Sequence, residues 1–148
     1  MKPLSGTAYA LRALVDLVLH EGTGPVTVGT IAKRQQIPAR YLEQLFHRLR
    51  RQGIVVAERG PRGGYRLNRP PKEVTVSAIF NCLDTPQGGL SPEATVPQGI
   101  ETDPTAAVWQ QVEAAVQTTL EATTLEDLAS QVREKSPTPF DHRFTFHI

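Results

Sequence analysis

The sequence predicts a mainly α fold with a small β-hairpin: a winged helix-turn-helix followed by a long dimerisation helix. Three observations predict it. Apolar residues recur at helical spacing through three successive segments before residue 53. The period then changes to two short extended runs, "IVVAE" and "GYRLN", joined by the Gly- and Pro-containing turn "RGPRG". Beyond residue 104 a helical segment carries one thin apolar seam, and too little of the chain remains to cover it.

The first helix is expected from residue 4 to about 21, where Tyr9, Leu11, Leu14, Val15, Val18 and Leu19 repeat near a 3.6 period and "EGTGP" ends the pattern. Thr27 offers an N-cap for a short second helix that buries Val28 and Ile31. Ile37-Pro38 breaks it, because proline disfavours helical geometry in the preceding residue. Pro38 suits the first turn of a third helix, "ARYLEQLFHRLRRQ", which Gly53 closes. "VTVSAIFNCLD" predicts a further short helix, and the Pro- and Gly-rich span 85–104 a loop that is functional or disordered. Asp103 as N-cap and Pro104 at the first helical position start the long helix. Its seam comprises Val108, Val112, Ala115, Val116 and Thr119/Leu120, with Trp109 beside it. Thr124 and Asp127 resemble a capping box for a last short helix, and Phe144, Phe146 and Ile148 suggest an edge strand in the tail. The expected organisation is a DNA-binding unit over 1–72, a short helix and sensor-position loop over 73–103, and a dimerisation helix, short helix and tail over 104–148.

The net charge of +1 conceals a division. Residues 1–72 hold 13 Lys/Arg against 4 Asp/Glu, a balance of +9, whereas residues 73–148 hold 3 against 11, a balance of −8. A basic half of this kind suits a polyanion. The single cysteine leaves no disulfide framework, no signal peptide is visible, and the run "ALRALVDLVL" is too short and too charged to span a membrane. A cytoplasmic protein is expected.

Projected at about 100° per residue, the third helix gathers Tyr41, Leu42, Leu45, Phe46 and Leu49 on a core side. Arg40, Gln44, His47 and Arg51 fall on the opposite side, at i, i+4, i+7 and i+11. Arg suits guanine and Gln suits adenine in the major groove, and the N-terminal part of a recognition helix reaches deepest. Arg40, Gln44 and Tyr41 are therefore the expected base readers, with Arg51 on phosphate. In the hairpin, Arg59 and Arg62 fall at the tip, and Gly60, Gly63 and Gly64 leave room for backbone to approach a nucleic-acid strand. Thr27, Arg48 and Arg66 complete the expected contacts with double-stranded DNA.

"YLEQLFHRLRRQGIV", followed by "GPRGGYRL" and by "W…TTLEDL" near the C-terminus, resembles the bacterial winged-helix regulators of the Rrf-two type. The resemblance covers nearly the whole chain except the loop and the tail. It implies a homodimeric transcriptional regulator on palindromic promoter sites, with the recognition helix at residues 39–52 and the wing tip at 59–63. It also implies that Val108, Trp109, Val112, Val116 and Leu120 lie on the helix that crosses to the second subunit. Many members hold an iron–sulfur cluster on three cysteines in the loop before that helix. Here the span 85–104 has none, and the first-helix positions Thr7, Ala8 and Arg12 offer no ligand. A member without a cluster is expected, answering to a regulatory protein or a small metabolite and acting as a repressor.

Two alternatives stay open. One is a redox or metal sensor working through Cys82 or an atypical iron–sulfur site. The other is a winged-helix module whose basic face meets an acidic protein. Cys82 falls with Ile79 and Leu83 on an apolar helical face and is expected to serve as a small buried hydrophobe. His20, His47, His142 and His147 lack metal-ligand spacing, so no metal site is expected. No nucleophile–base pair or phosphate loop points to an enzyme.

Overall fold

The computed structural model describes residues 5–83 and 103–135. Six helices and one hairpin occur there: α1 (Ser5–Leu19), α2 (Val28–Gln35), α3 (Ala39–Arg51), β1 (Val55–Glu58), β2 (Gly64–Leu67), α4 (Val76–Leu83), α5 (Ala106–Ala122) and α6 (Leu125–Lys135). The expected tail strand, with His142 and His147, lies outside the described residues, as does nearly all of the 85–104 loop.

The core is assembled by α1, whose Ala10, Ala13, Leu14 and Leu17 are fully buried. Ile31 of α2, Leu42, Phe46 and Leu49 of α3, and Ile79 of α4 close on it. Fully burying a side chain of this size contributes roughly 1.5–3 kcal/mol, so these helices are held mainly by their apolar faces. Leu125 and Ala129 of α6 are buried in the same cluster. Thus α6, grouped by sequence with the dimerisation helix, completes the core built on α1.

Local signals position the ends. Thr27 caps α2, its hydroxyl accepting from the Thr30 amide at 3.2 Å. After α3 the chain turns through Gly53, with Ile54 N–H donating to the Leu49 carbonyl at 3.0 Å, the closure of a Schellman motif. Thr124 and Asp127 form the reciprocal capping box at 2.9 and 3.1 Å. Asp103 behaves differently from expectation. Its carboxylate accepts from Thr105 N–H and Oγ1 at 2.9 and 2.7 Å in a turn that precedes the helix, and α5 begins at Ala106 with Thr105 at the cap position. Once the aspartate folds onto Thr105, the helix start moves beyond Pro104.

The hairpin pairs antiparallel, with Val55 opposite Leu67 and Glu58 opposite Gly64. Val26, just before α2, adds a bridge to β2, with hydrogen bonds of 3.1 and 2.8 Å exchanged with Tyr65. The chain also meets itself farther on: Val76 N–H donates to Thr123 O and Leu125 N–H to Val74 O, both at 2.9 Å. No helix among the described residues is long and apolar enough to cross a membrane.

Candidate nucleic-acid interface

The helix-turn-helix is α2, a left-handed Gln36 (φ 54°), buried Ile37, Pro38 and then α3. A polar cluster that sequence did not foresee locks α2 to α1. Asp16, 1% exposed, accepts from Arg34 Nε at 3.0 Å, from a second Arg34 nitrogen, and from Gln35 Nε2 at 2.9 Å. His20 Nδ1 donates to the Asp16 carbonyl at 2.7 Å. Burial alone would raise the Asp16 pKa, but the bonds from His20, Arg34 and Gln35 and the charge of Arg34 outweigh it and hold the carboxyl below its ordinary value. From sequence, Asp16 is only an interruption of an apolar run. Its place among buried Ala13, Leu17 and His20 was the available signal.

On α3, Arg40, Gln44, His47 and Arg51 are all exposed, as their spacing predicts, while Leu42, Leu45, Phe46 and Leu49 are buried. The flank of this ridge that carries Tyr41 and Arg48 turns toward the protein instead. Tyr41 is half-buried, its ring edge-on to Tyr9 with centroids 5.7 Å apart. An aromatic placed about 100° around from the ridge thus meets α1 along one edge while part of its ring stays in solvent. Arg48 donates to the carbonyls of Cys82 at 3.1 Å and Leu83 at 2.9 Å. It therefore caps the C-terminus of α4, where orphan carbonyls and the helix dipole favour a cation, while the side chain remains exposed. On the other flank Glu43 and Arg50 are exposed, and sequence reading passed over both.

The wing is mounted at two places besides its own strands. Phe46 of α3 packs against Tyr65 at 5.0 Å between ring centroids, and Val26 bridges Tyr65 through the backbone. At two of the wing glycines the protein itself leaves no room for a side chain. A Cβ on Gly63 would lie 2.4 Å from Glu58 O, and one on Gly64 2.6 Å from the Val26 carbonyl. Turn packing thus requires glycine at 63 whether or not DNA meets it. Arg66 forms an ion pair with Glu58 at 2.7 Å, with both side chains about half exposed. Such a surface pair contributes under about 1 kcal/mol, so Arg66 remains able to exchange Glu58 for another anion. Thr27 sits beside the bridge with its hydroxyl committed to the α2 cap.

The arginines therefore sort by partner. Arg12, Arg34, Arg48, Arg66 and Arg133 are bound to acceptors within the protein. Arg40, Arg50 and Arg51 on α3, Arg59 and Arg62 on the wing tip, and Arg69 beyond it have no side-chain partner among the described residues.

A model of the Rrf2 family, described as iron-dependent transcriptional regulators, matches residues 4–131. The chain belongs to the Rrf2 family. An IscR regulator of Aliivibrio salmonicida is 45% identical over 84 residues, 57% of this chain and 50% of that protein. The chain spans about half the length of the curated relatives it matches first. Among solved structures, IscR of T. potens superposes with a TM-score of 0.75 and 31% identity, covering 92% of this chain and 91% of the other. CymR of B. subtilis gives 0.71 and 34%, covering 86% and 95%. The winged helix-turn-helix fold is thereby established, and these relatives are regulators rather than enzymes.

The family description raises iron, and the donors described here do not fit it. Cys82 is half-buried, its thiol donating to the Arg48 carbonyl at 3.6 Å. Burial pushes the Cys82 pKa up and the Arg48 charge only partly offsets this, which disfavours the thiolate a metal needs. Among the described residues no three His, Cys, Asp or Glu side chains converge into a metal-sized group.

On α5 the seam splits into two rows. Trp109, Val116 and Leu120 are half-covered on the side of Gln117, which donates to Ser77 of α4 at 3.1 Å. Val108, Val112, Ala115 and Thr119 form an exposed row spaced by four, three and four residues. Val108 is 54% and Val112 41% exposed, and α5 has no buried residue.

Proposed function

We propose that the chain is a sequence-specific DNA-binding regulator that represses transcription by occupying palindromic promoter sites as a homodimer. The observation that carries this reading is the exposed ridge Arg40–Gln44–His47–Arg51, whose side chains make no hydrogen bond or ion pair among the described residues and stand on a helix packed against an arginine-tipped hairpin. Arg40 and Gln44, in the first turns of α3, suit base edges, whereas Arg59 and Arg62 suit phosphate.

The two roles separate in a binding experiment. Arg40→Ala and Gln44→Ala should each cost about 1–3 kcal/mol on the preferred site and relax selectivity. Arg59→Ala and Arg62→Ala should weaken all sequences alike and lower the salt slope by about 0.9 per lost phosphate contact. Fluorescence anisotropy on matched and scrambled duplexes across a salt series reads both. Wing variants that bind like wild type at every salt would remove the division.

The exposed α5 row is the proposed dimer seam, because its alternating four- and three-residue spacing is that of a coiled-coil edge. The Val108→Glu/Val112→Glu variant should sediment as a monomer at concentrations where wild type is a dimer, and should lose affinity for the palindrome more than for a half-site. A double variant that stays dimeric removes α5 from the interface. We further propose that no iron–sulfur cluster is held, given a single shielded cysteine, and that regulation comes from a partner protein or a metabolite. The Cys82 contact with Arg48 speaks against a thiol-based sensor.

A further inference from the structure

We propose that a cleft between the C-terminus of α3, the strand-to-α4 connection and α4 binds a small zwitterion of the α-amino-acid class. The inference rests on the DNA-binding reading only for its regulatory consequence. The cleft has a volume of about 280 Å³ and is lined by, among others, Gln52, Ile54, Arg69, Glu73, Ala78 and Cys82. Drug-sized ligands occupy roughly 300–1,000 Å³, so this space suits a small metabolite.

Its charges select the chemistry. Arg69 and Glu73 line the same cleft, yet they form no salt bridge with each other, and neither side chain has a partner among the described residues. Pro70-Pro71 and a 3-10 turn over Pro71–Glu73 fix the connection between them. Opposite charges held on one cleft without touching leave room for a molecule carrying both signs. The guanidinium of Arg69 would take a carboxylate through paired N–H donors, and Glu73 an ammonium. Ile54, Ala78 and the protonated Cys82 thiol then offer a weakly polar wall to a short side chain.

The position of the cleft makes occupancy consequential. Gln52 ends α3, and Cys82 supplies a carbonyl to Arg48 on the same helix while its thiol returns a bond to the Arg48 carbonyl. Gln52 N–H donates to the same Arg48 carbonyl, so a ligand touching Gln52 and Cys82 bears on both groups bonded to it.

Calorimetric titration of the full chain with each proteinogenic L-α-amino acid in turn tests the site. Any binder is then repeated as its matched primary amine and matched carboxylic acid. At least one amino acid should bind and both single-charge analogues should fail. Arg69→Ala and Glu73→Gln should each weaken binding roughly tenfold or more. Both positions are exposed, so circular dichroism should show the variants folded. No heat from any amino acid at about 10 mM overturns the proposal, as do variants that bind like wild type. An Arg69→Ala variant impaired only in DNA binding would make Arg69 a phosphate contact and also overturn it. A saturating amino acid should shift the dissociation constant for promoter DNA, and an unchanged constant overturns the regulatory consequence. Calorimetry needs no DNA, so a chain that failed to bind any duplex would leave the test of the cleft intact.

Discussion

Asp16→Ala should destabilise the protein by about 3 kcal/mol, the lower end of the cost of breaking a buried ion pair from one side. The carboxylate is 1% exposed and satisfies two Arg34 nitrogens and the Gln35 amide together. Its removal leaves a buried amide unpaired and a guanidinium without its counter-charge. Arg34 keeps 17% of its side-chain surface in solvent and can partly rehydrate, hence the lower end. Denaturant titration measures the loss. The same cluster sets a pH dependence. The Asp16 pKa is depressed in the folded state relative to its ordinary 3.8, so its contribution is complete above that value and is lost as pH falls through the lower folded value. Wild type should therefore lose stability below about pH 4 more steeply than Asp16→Asn, which has no charge to lose. Parallel curves for the two proteins would show that Asp16 is not the titrating group. Since α2 supports α3, the variant should also bind DNA less tightly at temperatures where it remains folded.

Gly64→Ala should cost about 2–4 kcal/mol through backbone displacement. Gly64 has φ 153°, and an added Cβ would lie 2.6 Å from both the carbon and the oxygen of the Val26 carbonyl and 2.9 Å from Thr27 N. Nothing flexible can yield there, because all three atoms are backbone. The strand must lift, and the two Val26–Tyr65 hydrogen bonds lengthen or break. A wing freed from Val26 should retain its charge yet lose its fixed aim. DNA affinity should then fall while the salt slope stays near that of wild type, whereas removing Arg59 or Arg62 lowers both. Anisotropy across a salt series distinguishes the two, and a Gly64→Ala protein as stable as wild type would show that β2 can be accommodated farther from Val26.

What could be read from sequence was whatever is local. Thr27 as a cap, the Thr124/Asp127 box and the "GPRGGY" hairpin each depend on partners within a few residues, and their spacing encodes them. The ridge of α3 was readable for the same reason, since Arg40, Gln44, His47 and Arg51 need only helical periodicity to share a face. Tyr41 and Arg48 gain partners that the sequence did not show, because both sit at the border of that face. Periodicity gives an angle around the axis, but only the neighbouring α1 and α4 decide which border is covered. Asp16 escaped notice because its meaning lies in donors eighteen and nineteen residues away on another helix. Gly63 and Gly64 were singled out from sequence, but the protein atoms that exclude a side chain there, on Glu58 and Val26, were not legible in it. The seam of α5 was visible as apolar spacing, while its division between α4 and solvent follows from Gln117 meeting Ser77, a contact no repeat reveals.

The paired bonds Val76–Thr123 and Val74–Leu125 bring the chain back to the spot it left, as a buckle returns a strap. The ends of the stretch are thereby held together, so extra residues inserted between α4 and α5 should add only the slowly growing entropy of a larger ring, about 0.6 kcal/mol for each doubling of a flexible loop. Insertions of different length are accordingly tolerable at this point while the winged-helix half keeps its shape.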